Sequence, residues 1–270
     1  MGNKTMAGRV SPKMIRTAAL AVALLGAAWT VPPASAADMP SVASQDWSFS
    51  PPFGTFDRGQ LQRGFKVYKE VCASCHGMNL LSYRNLGEPG GPEFSEEAVK
   101  AIAAAVEVTD GPNEEGDMFE RPGKPSDRFV SPYRNDQEAR FANGGALPPD
   151  LSVMAKARPY GPDYLYALLV GYIDPPAGIE MSEGMHYNAA FPGHQIAMPK
   201  PMEDDVIEYT DGTPATLSNY AKDVTAFMMW AAEPKLEERH RMGFRVMLYL
   251  IVLAGLLYFA KRKVWSRIGH

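Results

Sequence analysis

Two thiols three positions apart, with an imidazole directly after them, occur once in the chain as Cys72-Ala73-Ser74-Cys75-His76. This arrangement is the attachment signature of a c-type haem. On a helix, positions i and i+3 share a face, so both sulfurs can reach the two vinyl carbons of one porphyrin. His76 then meets the iron as proximal ligand. The chain has 270 residues and no other cysteine, so the competing use of the pair is a CxxC disulfide. A tetrahedral zinc site is disfavoured, because it needs about four protein ligands and no second cysteine pair supplies them.

The element that must deliver the thiols is a helix expected over residues 57–76. Leu61, Phe65, Tyr68, Cys72 and Cys75 fall at spacings of 4, 3, 4 and 3, one continuous stripe that turns the sulfurs toward the apolar core. A second helix is expected from an N-cap at Ser95, with Glu96 and Glu97 in its first turn, to about Val106. A short one over Arg134 to Asn143 stops at Gly144-Gly145. Leu147-Pro148-Pro149-Asp150-Leu151 reads as an extended corner able to line a haem edge. Pro162 to Gly171 reads as an apolar packing helix, and Thr216 opens another with Leu217, Tyr220, Val224, Phe227 and Met228 on one side. With 24 glycines and 23 prolines, long loops are expected around these helices.

Two further haem contacts can be sought in the loops. Porphyrin propionates need cationic or donor partners when partly buried. Arg158 is a candidate, although an ordinary surface arginine would look the same. The stretch from Tyr172 to Gly212 shows little helical period. It holds Met181, Met185, His186, His194, Met198 and Met202, the pool for a sixth iron ligand. Sequence pattern does not choose among them; Met198, in Gln195-Ile-Ala-Met198-Pro199, is plausible. His186, His194, His240 and His270 otherwise read as surface or structural residues. A thioether ligand would raise the iron potential relative to two imidazoles and close the sixth position, which favours electron transfer over oxygen chemistry.

Charge and hydropathy set the chain across a membrane. Residues 1–36 have Lys4, Arg9, Lys13 and Arg16, no acid, an apolar run from Ala18 to Trp29 and the small-residue site Ala34-Ser35-Ala36. They read as an export signal cleaved after Ala36. The remainder has 23 basic and 31 acidic residues, which disfavours nucleic acid and favours a basic partner. Ten acids and one base lie between Glu88 and Glu120. Such a run is usually a solvated face; beside a redox centre it would also steer a cationic carrier. Pro234 permits a fresh helix start, and Met242–Ala260 carries Arg245 as its only charge. Nineteen residues span about 28 Å at ~1.5 Å each, close to a bilayer core of ~30 Å. Lys261, Arg262, Lys263 and Arg267 follow, placing the C-terminus in the cytoplasm by the positive-inside rule. The expected domains are 1–36 signal, 37–233 periplasmic haem domain and 234–270 anchor.

Several stretches resemble the cytochrome c1 family, the haem subunit of the cytochrome bc1 complex. They are residues 63–76, Asp110-Gly-Pro-Asn113, Arg121-Pro-Gly-Lys124, Gly145-Ala-Leu-Pro-Pro-Asp-Leu-Ser152, Asp211-Gly-Thr-Pro-Ala-Thr216 and Trp230-Ala-Ala-Glu-Pro234, in that order. The resemblance covers the mature chain and implies a mainly α, class I cytochrome c-like haem domain with long loops and one C-terminal transmembrane helix. It implies one covalent haem c on Cys72 and Cys75, His76 and Met198 as axial ligands, and Arg158 against a propionate. It further implies cytochrome b, the Rieske iron–sulfur protein and a soluble basic c-type cytochrome as partners in a dimeric complex of the bacterial inner membrane, in contact with membrane lipid. Lys200, in Met198-Pro-Lys-Pro201, stands where related sequences often have an uncharged residue. The absence of further cysteines excludes the extra disulfide of some bacterial relatives. A membrane-anchored monohaem cytochrome of another respiratory complex, or a haem sensor or peroxidase, is the alternative reading.

Overall fold

The computed structural model describes residues 40–50 and 52–267. The export signal expected over 1–36 lies outside these residues, as does His270. The first helix, α1 (Arg58–Glu70), starts where the Asp57 carboxylate accepts from the Gln60 amide at 2.9 Å. It buries Leu61, Gly64, Phe65, Val67 and Tyr68, the stripe read from the sequence. It then stops six residues short of His76. A separate 3₁₀ turn (Cys72–Ser74) carries the first thiol.

The chain continues through a 3₁₀ turn (Tyr83–Gly87) into α2 (Glu96–Ala104), capped by Ser95, whose hydroxyl accepts from the Ala98 amide at 3.2 Å. Next comes an antiparallel hairpin of β1 (Glu107–Asp110) and β2 (Phe119–Pro122), paired from Glu107↔Pro122 to Asp110↔Phe119. Its strands are short, polar and exposed, with no apolar alternation to announce them. Arg121 holds the hairpin base by pairing with both Asp110 and Asp127. Helices α3 (Asp136–Ala142), α4 (Met154–Ala157) and α5 (Pro162–Val170) follow. A two-residue ladder of β3 (His186–Tyr187) and β4 (Gln195–Ile196) is the only regular structure described in the loop before residue 217.

Helix α6 (Leu217–Ala232), capped by the Thr216 hydroxyl, is the centre of the core. It lies against α1 and α5, with Tyr220, Val224 and Phe227 at 0% exposure. The α1–α6 approach depends on Gly64. A Cβ there would sit 2.1 Å from the Asp223 carbonyl oxygen and 2.7 Å from Phe227 Cβ. Gly64→Ala should therefore separate the two helices and cost on the order of 3 kcal/mol, the upper end for overpacking. Chemical denaturation of the haem domain measures it. The same pair of helices is tied by Arg63, which donates to Asp223 at 2.8 Å and to Asp211 at 2.7 Å. Asp223 is buried, so these bonds satisfy a carboxylate that would otherwise be costly to desolvate.

At Glu233-Pro234 the helical ladder breaks, since proline has no amide to donate and pushes the preceding residue out of the helical region. Helix α7 (Leu236–Trp265) then runs for 30 residues. It is long and apolar enough to cross a membrane, and none of its most apolar window is covered by protein. A soluble core helix with that composition would be mostly buried. Its first turn still belongs to the head: Leu236 is buried, and Glu237 accepts two hydrogen bonds from Arg58 at 2.6 and 3.0 Å.

Candidate functional site

The end of α1 explains how the thiols are set. In a continuing α-helix, the Val71 carbonyl would accept from the Cys75 amide. Instead the Ser74 hydroxyl donates to Val71 O at 2.8 Å, and the Cys75 amide turns to Cys72 O at 3.1 Å. The expectation of one helix over 57–76 is thus corrected to α1 plus a 3₁₀ turn. The consequence for the sulfurs is small, because i and i+3 eclipse in 3₁₀ geometry. Both cysteines are free and half-buried. Burial pushes the Cys72 thiol up to about 12, so it stays a neutral thiol rather than a redox-active thiolate.

His76 is fixed from across the chain. Its Nδ1 lies 2.8 Å from the carbonyl oxygen of Pro149; with Nδ1–H donating there, Nε2 is the nitrogen left to bind a metal. Burial lowers the pKa of the ring, which keeps the imidazole neutral as a ligand must be. The segment 149–152 is latched onto 77–80 by three hydrogen bonds, and a fourth, from the Ser152 amide, braces Asp150 within the segment. Leu151 N donates to Gly77 O at 2.8 Å and Asn79 N to Asp150 Oδ2 at 2.7 Å. Ser152 N donates to Asp150 Oδ1 at 2.8 Å, and Leu80 N to Ser152 Oγ at 3.0 Å. The Tyr68 hydroxyl donates to His76 O at 3.3 Å. A cleft of about 380 Å³ opens beside this assembly, lined by Cys75, Gly77, Asn79, Ala139 and residues 131–136 and 147–150.

The remaining residues expected at the haem lie on other segments. Met198 stands two residues beyond β4, and its backbone carbonyl accepts from the Tyr172 hydroxyl at 3.0 Å. Burial raises the pKa of both Tyr164 and Tyr172, and the nearby Arg158 charge partly opposes the rise at Tyr164. Arg158 is exposed at the end of α4, donates only to Ala157 O at 3.1 Å and makes no ion pair among the described residues. The other members of the ligand pool are placed differently. Met202 is in the core at 1% exposure, while Met185 and His186 are exposed. The His194 ring stacks on Tyr187 at 5.4 Å, with Nδ1 3.2 Å from Asn188 O.

The donor set suits a covalently held haem: two free thiols on one turn, a neutral imidazole with one nitrogen committed elsewhere, and apolar walls from Val71, Cys72 and Ala73 packed against the core. No cluster of three or more His, Cys, Asp or Glu able to hold a bare metal ion occurs among the described residues. The description of the cytochrome C1 family matches residues 47–268, from the first buried tryptophan through the whole of α7.

The chain belongs to the cytochrome c1 family. It is 54% identical over 239 residues to the cytochrome b/c1 of Bradyrhizobium diazoefficiens, covering 82% of this chain and 35% of that protein. It therefore spans about a third of that longer relative. It is 53% identical over 221 residues to a mitochondrial cytochrome c1 heme protein of Arabidopsis thaliana, covering 82% of this chain and 71% of the other. It is 46% identical over 246 residues to cytochrome c1 of Rhodospirillum rubrum, covering 85% and 89%. As a member of this family it carries one covalent haem c, and its mainly helical head with one long apolar C-terminal helix is the expected fold.

Sequence reasoning missed the Pro149 carbonyl and the Asp150 latch. A backbone carbonyl has no side-chain signature, and 73 positions separate it from His76. The acidic run also divides. Glu93, Glu96 and Asp110 are taken up in pairs with Arg58, Lys100 and Arg121. Glu114, Glu115 and Asp117, at the exposed hairpin tip, form no ion pair among the described residues.

Proposed function

We propose that this chain is the electron-transfer haem subunit of a quinol–cytochrome c oxidoreductase, accepting electrons from a Rieske iron–sulfur protein and passing them to a soluble basic c-type cytochrome. The observation that carries this reading is the committed Nδ1 of His76 on the turn that bears both free thiols. Cys72 and Cys75 would hold the porphyrin through thioether bonds, His76 Nε2 and the Met198 sulfur would bind its iron, and Arg158 would pair with a propionate. Bound there, the haem supplies a one-electron ferric–ferrous couple.

What the protein's own residues do follows from their contacts. The Pro149 carbonyl sets the tautomer and plane of His76, and the Asp150 latch keeps that carbonyl in place. The Tyr172 hydroxyl pins the backbone of Met198. The free carboxylates at 114, 115 and 117 attract a cationic carrier without holding it. Mixing the reduced protein with an oxidised basic cytochrome tests this. Glu114→Gln/Glu115→Gln/Asp117→Asn should slow the second-order rate several-fold at low salt, with the difference vanishing near ~0.15 M as screening sets in. A loss independent of salt contradicts steering.

The domains run as 1–36 export signal, 37–233 haem domain and 234–270 anchor, with α7 beside cytochrome b in a dimeric complex, the head in the periplasm and the basic tail in the cytoplasm. Because Leu236 and Glu237 pack on the head, a chain ending after Arg241 should leave the membrane as a coloured, soluble domain. Its retention in the membrane fraction after export contradicts a single anchor. A chain ending before Lys235 also loses the Glu237–Arg58 clasp and should be less stable.

A further inference from the structure

The junction between the head and α7 contains a second cavity, of about 200 Å³, lined by Phe53, Gly54, Thr55, Glu237, His240 and Arg241. It lies at the level of the first turns of α7, directly before the apolar exposed stretch that begins at Met242. Its rim is aromatic. Phe53 is 70% exposed and meets Phe244 edge to face at 5.7 Å between centroids. Two exposed phenylalanines here stand at the level where α7 would enter the bilayer, and their apolar rings suit the headgroup–acyl boundary.

The charges around the cavity do not cancel. Glu237 is neutralised by Arg58, and its Oε1 also accepts from the Phe56 amide at 2.9 Å. Glu238 pairs with Lys235, and Arg239 with Glu233. Arg241 and Arg245, one turn apart on α7, are left without an ion pair among the described residues. Arg241 donates only to the Glu237 carbonyl, at 3.4 Å. The Nδ1 of His240 is buried and finds no hydrogen-bond partner among the described residues. A buried orphan nitrogen and the unpaired Arg241 guanidinium on an apolar-walled pocket, with the unpaired Arg245 one turn further along α7, call for an anion with an apolar extension.

We propose that this pocket holds the phosphate of an anionic phospholipid from the leaflet on the head's side of the membrane. Arg241 and Arg245 bind the phosphate oxygens, His240 Nδ1 completes the contact, and the first carbons of an acyl chain lie along Phe53 and Phe244. The site would fix the height of the haem domain over the bilayer, because the clasp of Glu237 on Arg58 joins the same turn to the start of α1. The inference rests on the membrane-spanning reading of α7. Alkaline extraction tests that reading separately, since wild type and variants should all stay in the membrane pellet whatever lipid they bind.

The test is native mass spectrometry of the full-length, haem-loaded protein in detergent with equal amounts of phosphatidylglycerol and phosphatidylcholine. Lys261→Gln/Arg262→Gln/Lys263→Gln/Arg267→Gln is present throughout to remove the basic tail's own lipid binding. One phosphatidylglycerol should be retained at least tenfold over phosphatidylcholine. Arg241→Gln/Arg245→Gln should lose that preference, and Phe53→Ser should weaken retention, with the haem spectrum unchanged in both. Millimolar inorganic phosphate should not displace the lipid. Equal retention of the two lipids, unchanged retention in the arginine variant, or displacement by phosphate alone overturns the proposal. So does a cross-linked partner protein over Phe53 and Arg241 in the intact complex with no lipid retained.

Discussion

Exported Cys72→Ala/Cys75→Ala protein will contain no covalent haem: acid–acetone will strip all porphyrin from it and leave the wild-type colour behind on the wild-type chain. The effect is total because no other cysteine exists to take over. Each thioether fixes one edge of the ring, and the 3₁₀ turn presents both sulfurs to one side through the Ser74 hydroxyl and the Cys72 carbonyl. His76 stays in place in this variant, since its anchor on Pro149 does not involve the thiols. Residual haem bound without a covalent link would be low and readily extracted. Covalent colour persisting in the double variant would mean that attachment lies elsewhere.

Met198→Leu should leave the haem attached and shift its potential down by on the order of 100 mV or more, because the axial ligand is a main lever on the couple. A thioether is a soft ligand that stabilises the ferrous iron; leucine offers nothing in return. The substitution is close in volume, and the Tyr172 hydroxyl holds the backbone at 198 rather than the side chain, so the fold should be kept. The sulfur-to-iron charge-transfer band of the ferric protein should vanish with the shift. A redox titration giving the wild-type potential would pass the role to another residue. Met202 is not free to replace it, being enclosed in the core at 1% exposure.

The parts of the molecule that could be read from residues are those with local causes. Asp57, Ser95 and Thr216 each cap a helix through a side chain three positions ahead of its donor, and that signal is in the sequence. The stripe from Leu61 to Tyr68 faces the core because its spacing requires it. The 242–260 apolar run lies within α7, whose length follows from its composition together with the basic residues at both ends.

What was not legible has distant causes. The break of α1 before Cys72 is decided by which donor reaches the Val71 carbonyl, a competition that helical spacing does not record. The β1–β2 hairpin is held by Arg121 between Asp110 and Asp127 rather than by an apolar face. The Pro149 carbonyl reaches His76 only through the fold. The sixth-ligand pool could not be narrowed by pattern, because a methionine that fills a core and one beside a haem are the same letter.

Tryptic digestion of the mature wild-type protein under reducing conditions, with a cysteine alkylating agent present, tests the central claim most directly. Cleavage after Lys69 and Arg84 releases residues 70–84, which contain Cys72, Cys75 and His76. That peptide should carry the mass of one haem, with neither cysteine alkylated. Recovery of the same peptide with both cysteines alkylated and no added porphyrin would contradict it.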